Sequence, residues 1–341
     1  MFNKDTRAVR VLLVLALFFA ACGSPKSESD DSSNTDDILT IYSGRSESLV
    51  APVIEAFTAS TGIEVEVRYG DTAQLAVALI EEGDASDADI FWAQDAGALG
   101  ALSSGDRFEA LPASLLEKVA SGYRSQDGSW LATNARARVL AFSTERTSAS
   151  ELPSSISQLS DPQYANLVGW APTNGSFQSF VSALRELIGE DATRDWLVSM
   201  KENGAKSYPK NSAILQGIAN GEIDLGLPNH YYLYRFKAED SSFPVDQQFF
   251  ESGDPGNLVN VAGVGVLKST AAEAAALEFI EFLLTDEMQR HFIDNTFEFP
   301  VTSSMIEQSQ DPTTGIRPEI DLNSLRMLES TLELLREVEL L

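Results

Sequence analysis

The chain contains one cysteine, Cys22, among its 341 residues. A single thiol cannot form an internal disulfide, so the fold does not depend on a disulfide framework. Cys22 lies near the N-terminus, directly after an apolar stretch. The rest of the chain therefore has no cysteine that could serve as a catalytic nucleophile.

Histidine is almost as scarce, since His230 and His291 are the only two. The G-x-S-x-G pattern that exposes the serine nucleophile of many hydrolases does not occur. We therefore do not expect an enzyme. Carboxylates are abundant, so a secreted hydrolase that uses paired carboxylates stays open as an alternative without a positive signal.

Positive charge is also in short supply. The chain has 24 Lys and Arg against 51 Asp and Glu, and its net charge is -27. Such a field repels the phosphates of nucleic acid, so no nucleic-acid partner is expected. Acidity would draw cations closer, but its simpler interpretation is a highly soluble or salt-adapted surface.

Long apolar runs are absent apart from VLLVLALFFA at residues 11–20, which is too short to span a bilayer as a mature helix. Three basic residues precede this run, namely Lys4, Arg7 and Arg10. Basic charge before a short apolar run is typical of a signal peptide. Small residues directly before Cys22 resemble a lipobox, with Phe19 at the position where leucine is usual, so we predict lipidation of Cys22. An ordinary signal peptide with an incidental cysteine is the alternative.

The segment GSPKSESDDSSNTDD at residues 23–37 is rich in serine and aspartate and has nothing to bury. This composition predicts a solvated tether. Residues 1–37 are thus predicted to be a lipoprotein signal peptide and tether. The protein is then expected in the cell envelope, lipid-anchored at the outer face of the cytoplasmic membrane or in a periplasm.

Beyond the tether, strand and helix patterns alternate along the chain. Residues 39–42, 63–67 and 89–92 have the apolar or alternating pattern of strands, and helical spacing occupies residues 50–57 and 73–82 between them. This order predicts a parallel α/β sheet.

Tyr231 and Tyr232 follow a predicted strand at residues 223–227. The carboxyl ends of parallel strands are where α/β folds bind ligands. Phenolate is a hard anionic donor that suits ferric iron, and the metal can displace a proton that otherwise leaves only near pH ~10. From the residues alone, an aromatic cluster packed in the core remains the simpler interpretation.

Asn174, Gly175 and Ser176 precede a helical pattern at residues 177–188. Backbone N–H groups and a hydroxyl at a helix start can bind an anion, although capping of the helix by Ser176 explains the pattern equally well. The segment YSGRSE at residues 42–47 has the same strand, turn and helix order. It lacks the glycine and lysine pattern of a nucleotide site.

Several segments together resemble the periplasmic ferric-iron-binding proteins, the bacterial transferrins of the class II solute-binding fold. The similarity runs from about residue 39 to at least residue 300. The segments are LTIYSGRSE, GIEVEVRYGDTAQL, ADIFWAQD, ARARVLAF, VGWAPTNGSFQSF, YPKNSAILQGIANGEIDLGLPNHYY and GDPGNLVNVAGVGVLKS. NHYY after GEIDLGL is the most specific of them, and it favours a ligand-binding role for the tyrosines.

The resemblance implies that Tyr231 and Tyr232 are paired iron ligands. Members of the family with a histidine and a glutamate ligand carry them where this chain has Ser46 and Gln94. A His/Glu/Tyr/Tyr site is therefore not expected, and Ser46 and Gln94 are expected only to face the cleft. Tyrosine-rich members are more similar, and they imply Tyr42 as a third ligand.

Some of those members also use a tyrosine where this chain has Asn174. With two or three phenolates, the metal must complete its shell with exogenous oxygens, and the family uses carbonate or phosphate for this. The resemblance places that anion near Asn174, Gly175, Ser176, Asn211, Asn229 and Arg136. For Arg136, a surface ion pair is the alternative.

The expected fold is α/β, a two-lobed periplasmic binding protein-like II fold with a ligand cleft between the lobes. Residues 38–138 and 262–313 are predicted to form the first lobe, and residues 139–261 and 314–341 the second. A monomer is expected to capture ferric iron with carbonate or phosphate and to deliver it to an ABC permease. The alternative is a binding protein of the same fold for another small anion or solute, without metal.

Overall fold

The computed structural model describes residues 38–310 and 312–341. The signal peptide and tether predicted for residues 1–37, including Cys22, lie outside the described residues. The strands are β1 (Leu39–Ser43), β2 (Val65–Tyr69), β3 (Ile90–Ala93), β4 (Leu131–Ala137), β5 (Leu140–Ser143), β6 (Val168–Trp170), β7 (Lys206–Ser207), β8 (Leu225–Gly226), β9 (Val245–Gln248) and β10 (Val259–Val266).

The α-helices of the described residues are α1 (Glu47–Thr61), α2 (Thr72–Glu82), α3 (Ala96–Ser104), α4 (Ala113–Leu116), α5 (Gly175–Ile188), α6 (Glu190–Glu202), α7 (Asn211–Ala219), α8 (Tyr231–Glu239), α9 (Glu273–Leu283), α10 (Asp286–His291), α11 (Ser303–Ser309) and α12 (Leu328–Glu337). In this part of the chain, no helix is long and apolar enough to cross a membrane.

The first sheet has the strand order β2-β1-β3-β10-β4. β1 pairs in parallel with β2 and β3, as the strand–helix–strand order predicts, whereas β10 pairs antiparallel with β3 and β4. On α1, Val50, Val53 and Phe57 follow helical spacing and are fully buried. Phe57 meets Phe279 of α9 edge to face, with ring centroids 5.0 Å apart. Helix α9, which follows β10 in the chain, thus packs against α1 in this lobe.

The second sheet has the order β7-β6-β8-β5-β9. β6 pairs in parallel with β7 and β8, and β5 pairs antiparallel with β8 and β9. At the end of β6, the ring of Trp170 lies 5.6 Å from Phe177 of α5 and 6.1 Å from Trp196 of α6. Each lobe therefore has its own mixed sheet with helices packed on it, which confirms the α/β two-lobed fold.

The chain passes between the sheets twice. β4 ends at Ala137 and β5 begins at Leu140, near the crossing expected at residue 138. The second crossing lies between β9 and β10, so the boundary predicted at residue 262 is corrected, because that residue lies inside β10. The segment that connects the two strands includes a turn before β10, where Asp254 accepts a hydrogen bond from the Gly256 N–H at 2.7 Å. β10 is buried along its whole length, so its sequence pattern does not mark the boundary between the lobes.

The C-terminal segment, residues 314–341, is predicted to pack on the second lobe, and in the structure it contacts both lobes. Helix α12 packs on α5, and Arg185 donates a hydrogen bond to the Thr331 hydroxyl at 2.8 Å. The preceding 3₁₀ helix, Leu322–Arg326, packs on α3 of the first lobe. Gly97 of α3 permits this approach, because a Cβ there would lie 2.8 Å from a backbone oxygen of the 3₁₀ helix.

Candidate metal and anion site

A cavity of about 600 Å³ lies between the lobes, where β1, β2 and β3 end. This is the edge at which α/β sheets bind ligands. The first lobe contributes Gly44, Arg45, Ser46, Tyr69, Asp71, Gln94, Asp95 and Arg136. The second lobe contributes Asn174, Gly175, Ser176, Asn211, Asn229, Tyr231, Tyr232 and Arg235. Of the metal and anion residues predicted from the sequence, all except Tyr42 line this one cavity.

Tyr231 and Tyr232 are the first residues of α8, and their ring centroids lie 4.4 Å apart with the planes at 31°. Burial raises the pKa of Tyr231 well above its ordinary value. The neighbouring Tyr232 adds to this rise, and the positive charge of Arg136 opposes it. The Tyr231 phenol is therefore protonated near neutral pH unless a bound cation displaces its proton.

Two guanidinium groups accompany the phenols. The Arg235 guanidinium lies 4.8 Å from the ring centroid of Tyr231 and 5.8 Å from that of Tyr232. Arg136, on β4, is only 3% exposed, and its Nη1 has no hydrogen-bond partner among the described residues. The surface ion pair considered for Arg136 is therefore excluded by its burial. A buried N–H without an acceptor is costly, and an anion in the cavity would satisfy it.

The polar residues at the start of α5 form one hydrogen-bonded group. The Asn174 Oδ1 accepts from the Ser176 N–H at 3.2 Å and from the Ser176 hydroxyl at 2.6 Å, so Asn174 rather than Ser176 caps the helix. Asn211 donates to the same oxygen at 3.2 Å and accepts from the Asn229 N–H at 3.1 Å. These bonds connect the helix start to the segment that precedes the two tyrosines. Helix starts also leave backbone N–H groups without acceptors in the helix.

A buried ion pair adjoins the cavity on the side of the first lobe. Arg45 donates to Glu298 at 2.7 Å and to Asn134 at 3.1 Å, and the side chains of the ion pair are 0% and 2% exposed. The Thr296 hydroxyl also donates to Glu298 at 2.8 Å. No sequence motif marks this pair, because its two members are far apart in the chain and no local pattern connects them.

His230 has a structural role next to the tyrosines. Its Nδ1 accepts from the Ala137 N–H at 3.1 Å, so its Nε2–H donates to the Phe297 carbonyl oxygen at 2.7 Å. The ring also stacks on Phe299, with centroids 4.0 Å apart. Burial lowers the pKa of His230 to about 4, which keeps the imidazole neutral near neutral pH. Both ring nitrogens are thus engaged by backbone groups.

Tyr42, the predicted third ligand, does not line the cavity of the described structure. Its hydroxyl accepts a hydrogen bond from Arg68 Nη1 at 2.9 Å, and the guanidinium lies 4.7 Å from its ring centroid. Arg68 is its direct partner across the β1–β2 pair and also forms an ion pair with Glu82 at 3.0 Å. Because cross-strand partners lie on the same face of a sheet, the Tyr42 side chain contacts this ion pair.

Ser46 and Gln94 do line the cavity, as expected from the sequence, and two acidic neighbours accompany them. Asp71 caps α2 and Asp95 caps α3 through side-chain hydrogen bonds to backbone N–H groups. Burial raises the pKa of Asp95, and Arg136 opposes the rise. Within residues 38–310 and 312–341, no cluster of three His, Cys, Asp or Glu side chains could hold a metal ion.

Comparison with known proteins identifies the family. Residues 86–316 match the family described as bacterial extracellular solute-binding protein. The chain is 34% identical over 305 residues to the major ferric iron-binding protein of Neisseria meningitidis serogroup B, covering 88% of this chain and 92% of that protein. The chain belongs to the bacterial extracellular solute-binding proteins. As a member of this family it is a binding protein and not an enzyme.

Solved structures confirm the predicted fold and the resemblance. Iron-bound HitA from Pseudomonas aeruginosa matches with a TM-score of 0.82 and 31% identity, over 89% of this chain and 99% of that chain. The Trichodesmium protein IdiA (FutA), in complex with iron and citrate ligands, matches with a TM-score of 0.78 and 25% identity, over 89% of this chain and 99% of that chain.

Proposed function

We propose that the protein captures ferric iron in the cleft between its lobes, with the phenolates of Tyr231 and Tyr232 as ligands. The observation that carries this proposal is the pair of adjacent phenols in the cavity, close to two guanidinium groups. Ferric iron prefers hard anionic oxygens and competes with protons for them. The names of the Neisseria and Pseudomonas relatives support iron as the ligand.

A carbonate or phosphate completes the iron coordination in this proposal, because two phenolates leave positions open on the metal. Arg136 would be its charged partner, since the buried Nη1 has no protein acceptor in the described part of the chain. Gly175 would offer its backbone N–H at the start of α5, and the Ser176 hydroxyl would have to turn from Asn174 to donate to the anion. Asn211 and Asn229 would hold this wall in place. Citrate is the competing anion, because the Trichodesmium relative was solved with iron and citrate.

Titration of the purified protein with ferric nitrilotriacetate in bicarbonate buffer tests iron binding directly. A phenolate bound to ferric iron has a charge-transfer band in the visible region, so the solution should become coloured and the band should saturate. A colourless protein that nevertheless binds phosphate or citrate in calorimetry would favour the alternative, a binding protein for anions without metal. This second function is favoured by the three guanidinium groups around the cavity, which belong to Arg45, Arg136 and Arg235.

In the cell, the protein is proposed to act as a monomer that delivers iron to an ABC permease, as extracellular solute-binding proteins do. Lipidation of Cys22 would hold it at the outer face of the cytoplasmic membrane or in a periplasm, with residues 23–37 as the tether. Cys22→Ser should therefore move the protein from the membrane fraction to the soluble fraction. Continued retention in membranes would contradict the lipid anchor without affecting the iron site.

A further inference from the structure

Tyr69 is a phenol of the first lobe that the sequence analysis did not single out. It is the last residue of β2 and pairs in register with Ser43 at the end of β1. Directly after it, the Gly70 N–H donates to the Ser43 carbonyl oxygen at 3.1 Å, and the chain turns into the Asp71 cap of α2. This turn leaves Tyr69 on the cavity wall, opposite the lobe that carries Tyr231 and Tyr232.

The Tyr69 hydroxyl is available to a ligand, unlike that of Tyr42. Tyr69 is 37% exposed, and its hydroxyl has no hydrogen-bond partner among the described residues. Partial burial raises the pKa of Tyr69, and the negative charge of Glu47 adds to the rise. The phenol is thus neutral near neutral pH, and a trivalent cation close to its oxygen would reverse this preference.

The two carboxylates of the first lobe in the cavity, Asp71 and Asp95, each use one oxygen to cap a helix. Asp71 accepts from the N–H groups of Ala73 and Gln74 at 3.0 and 3.2 Å. Asp95 accepts from the Gly97 and Ala98 N–H groups at 3.1 and 3.4 Å. Each cap uses only the Oδ1 oxygen, but turning either side chain to bring its second oxygen onto a metal would disturb the start of a helix. Moving the Tyr69 ring would disturb no cap.

We propose that Tyr69 is the first lobe's phenolate ligand, which binds the ferric iron held by Tyr231 and Tyr232 when the lobes close. This inference rests on the proposed iron-binding function. With Tyr69 as a ligand, the first lobe contributes an anionic oxygen of the kind that ferric iron prefers. It also makes closure of the cleft part of metal binding, because ligands from both lobes would meet on one ion. The proton of the Tyr69 hydroxyl passes to solvent when the bond to iron forms.

Tyr69→Phe tests this proposal, because it keeps the ring and removes only the oxygen. Tyr42→Phe is the matched control, since it removes the neighbouring phenol of the same sheet, which contacts Arg68 outside the cavity. Each purified protein is titrated with ferric nitrilotriacetate in bicarbonate buffer, and the visible band per bound iron is recorded. Protons released per bound iron are measured in a parallel titration without buffer.

In Tyr69→Phe the band per bound iron should fall by about one third, because one of three phenolate donors is lost. That variant should also release about one proton fewer per iron. Tyr42→Phe should match the wild type in both measurements. Full band intensity and full proton release in Tyr69→Phe would overturn the assignment of Tyr69 while leaving iron binding by the tyrosine pair intact. A wild-type protein without any visible band would overturn the iron-binding function and this assignment together.

Discussion

The buried pair of Arg45 and Glu298 makes a quantitative prediction about stability. Glu298→Gln keeps the shape of the side chain and removes its charge, which leaves the guanidinium of Arg45 buried without a counter-ion. Removing one partner of a buried ion pair typically costs about 3 to 5 kcal/mol, because the remaining charge is uncompensated. The hydrogen bond from Arg45 to Asn134 remains, so we expect the lower part of this range.

The size of this effect should depend on pH. Burial by itself raises the pKa of Glu298, but Arg45 and the hydrogen bond from the Thr296 hydroxyl outweigh it, so the pKa lies below its ordinary value. A carboxyl with a depressed folded-state pKa contributes stability above its unfolded pKa, about 4.3 for glutamate. That contribution is lost as the pH falls through the folded pKa. The difference between wild type and Glu298→Gln should therefore be largest near neutral pH and should shrink in acid.

Urea unfolding followed by tryptophan fluorescence measures this difference as a shift in the midpoint. Glu281→Gln is the matched control, because Glu281 pairs with Lys118 at 2.6 Å while 62% of its side chain is exposed. Exposed pairs of this kind contribute only about 0 to 1 kcal/mol. If Glu298→Gln destabilised the protein no more than Glu281→Gln, the reasoning about the buried pair would be refuted.

Further predictions concern the cavity and the hinge. Arg136→Gln should weaken iron binding and remove its dependence on added bicarbonate, and an unchanged bicarbonate dependence in titrations would contradict a role in anion binding. Acid should release iron, because burial raises the pKa of Tyr231 and protons compete with the metal for its oxygen. Equilibrium dialysis at several pH values should show that the apparent affinity for ferric iron falls about tenfold per pH unit for each bound phenol. Small-angle scattering should show a compaction on iron binding, and identical profiles with binding confirmed would argue against closure.

The first sheet was predictable because its signals are local. The apolar spacing of α1 and the alternation of β2 lie within single segments of the chain, although β2 begins and ends two residues later than its pattern predicts. The antiparallel insertion of β10 between β3 and β4 has no such signal, since the pairing joins distant segments. The contact between the C-terminal segment and α3 also has no local sequence signal, because it joins distant segments and depends on the small size of Gly97.

The residues of the candidate site could be predicted where a sequence motif marks them. They could not be predicted where strand geometry determines which side chain reaches the cavity. NHYY led to Tyr231 and Tyr232, which do lie together in the cavity. The choice between Tyr42 and Tyr69 depends on which face a strand residue occupies and on where β2 ends. The sequence pattern ended this strand at residue 67, two residues before Tyr69. Extending it to the Gly70 turn would have placed Tyr69 at the end of β2, next to the cavity.

Iron titration of Tyr231→Phe, Tyr232→Phe and the double variant tests the central claim most directly. Tyr234→Phe is the control, because Tyr234 lies on the same helix, is 43% exposed and does not line the cavity. Each single change in the pair should weaken ferric iron binding by orders of magnitude, so that most of the visible band is lost at the same iron concentration, while Tyr234→Phe should behave like the wild type. Wild-type affinity for ferric iron in the double variant would contradict the account.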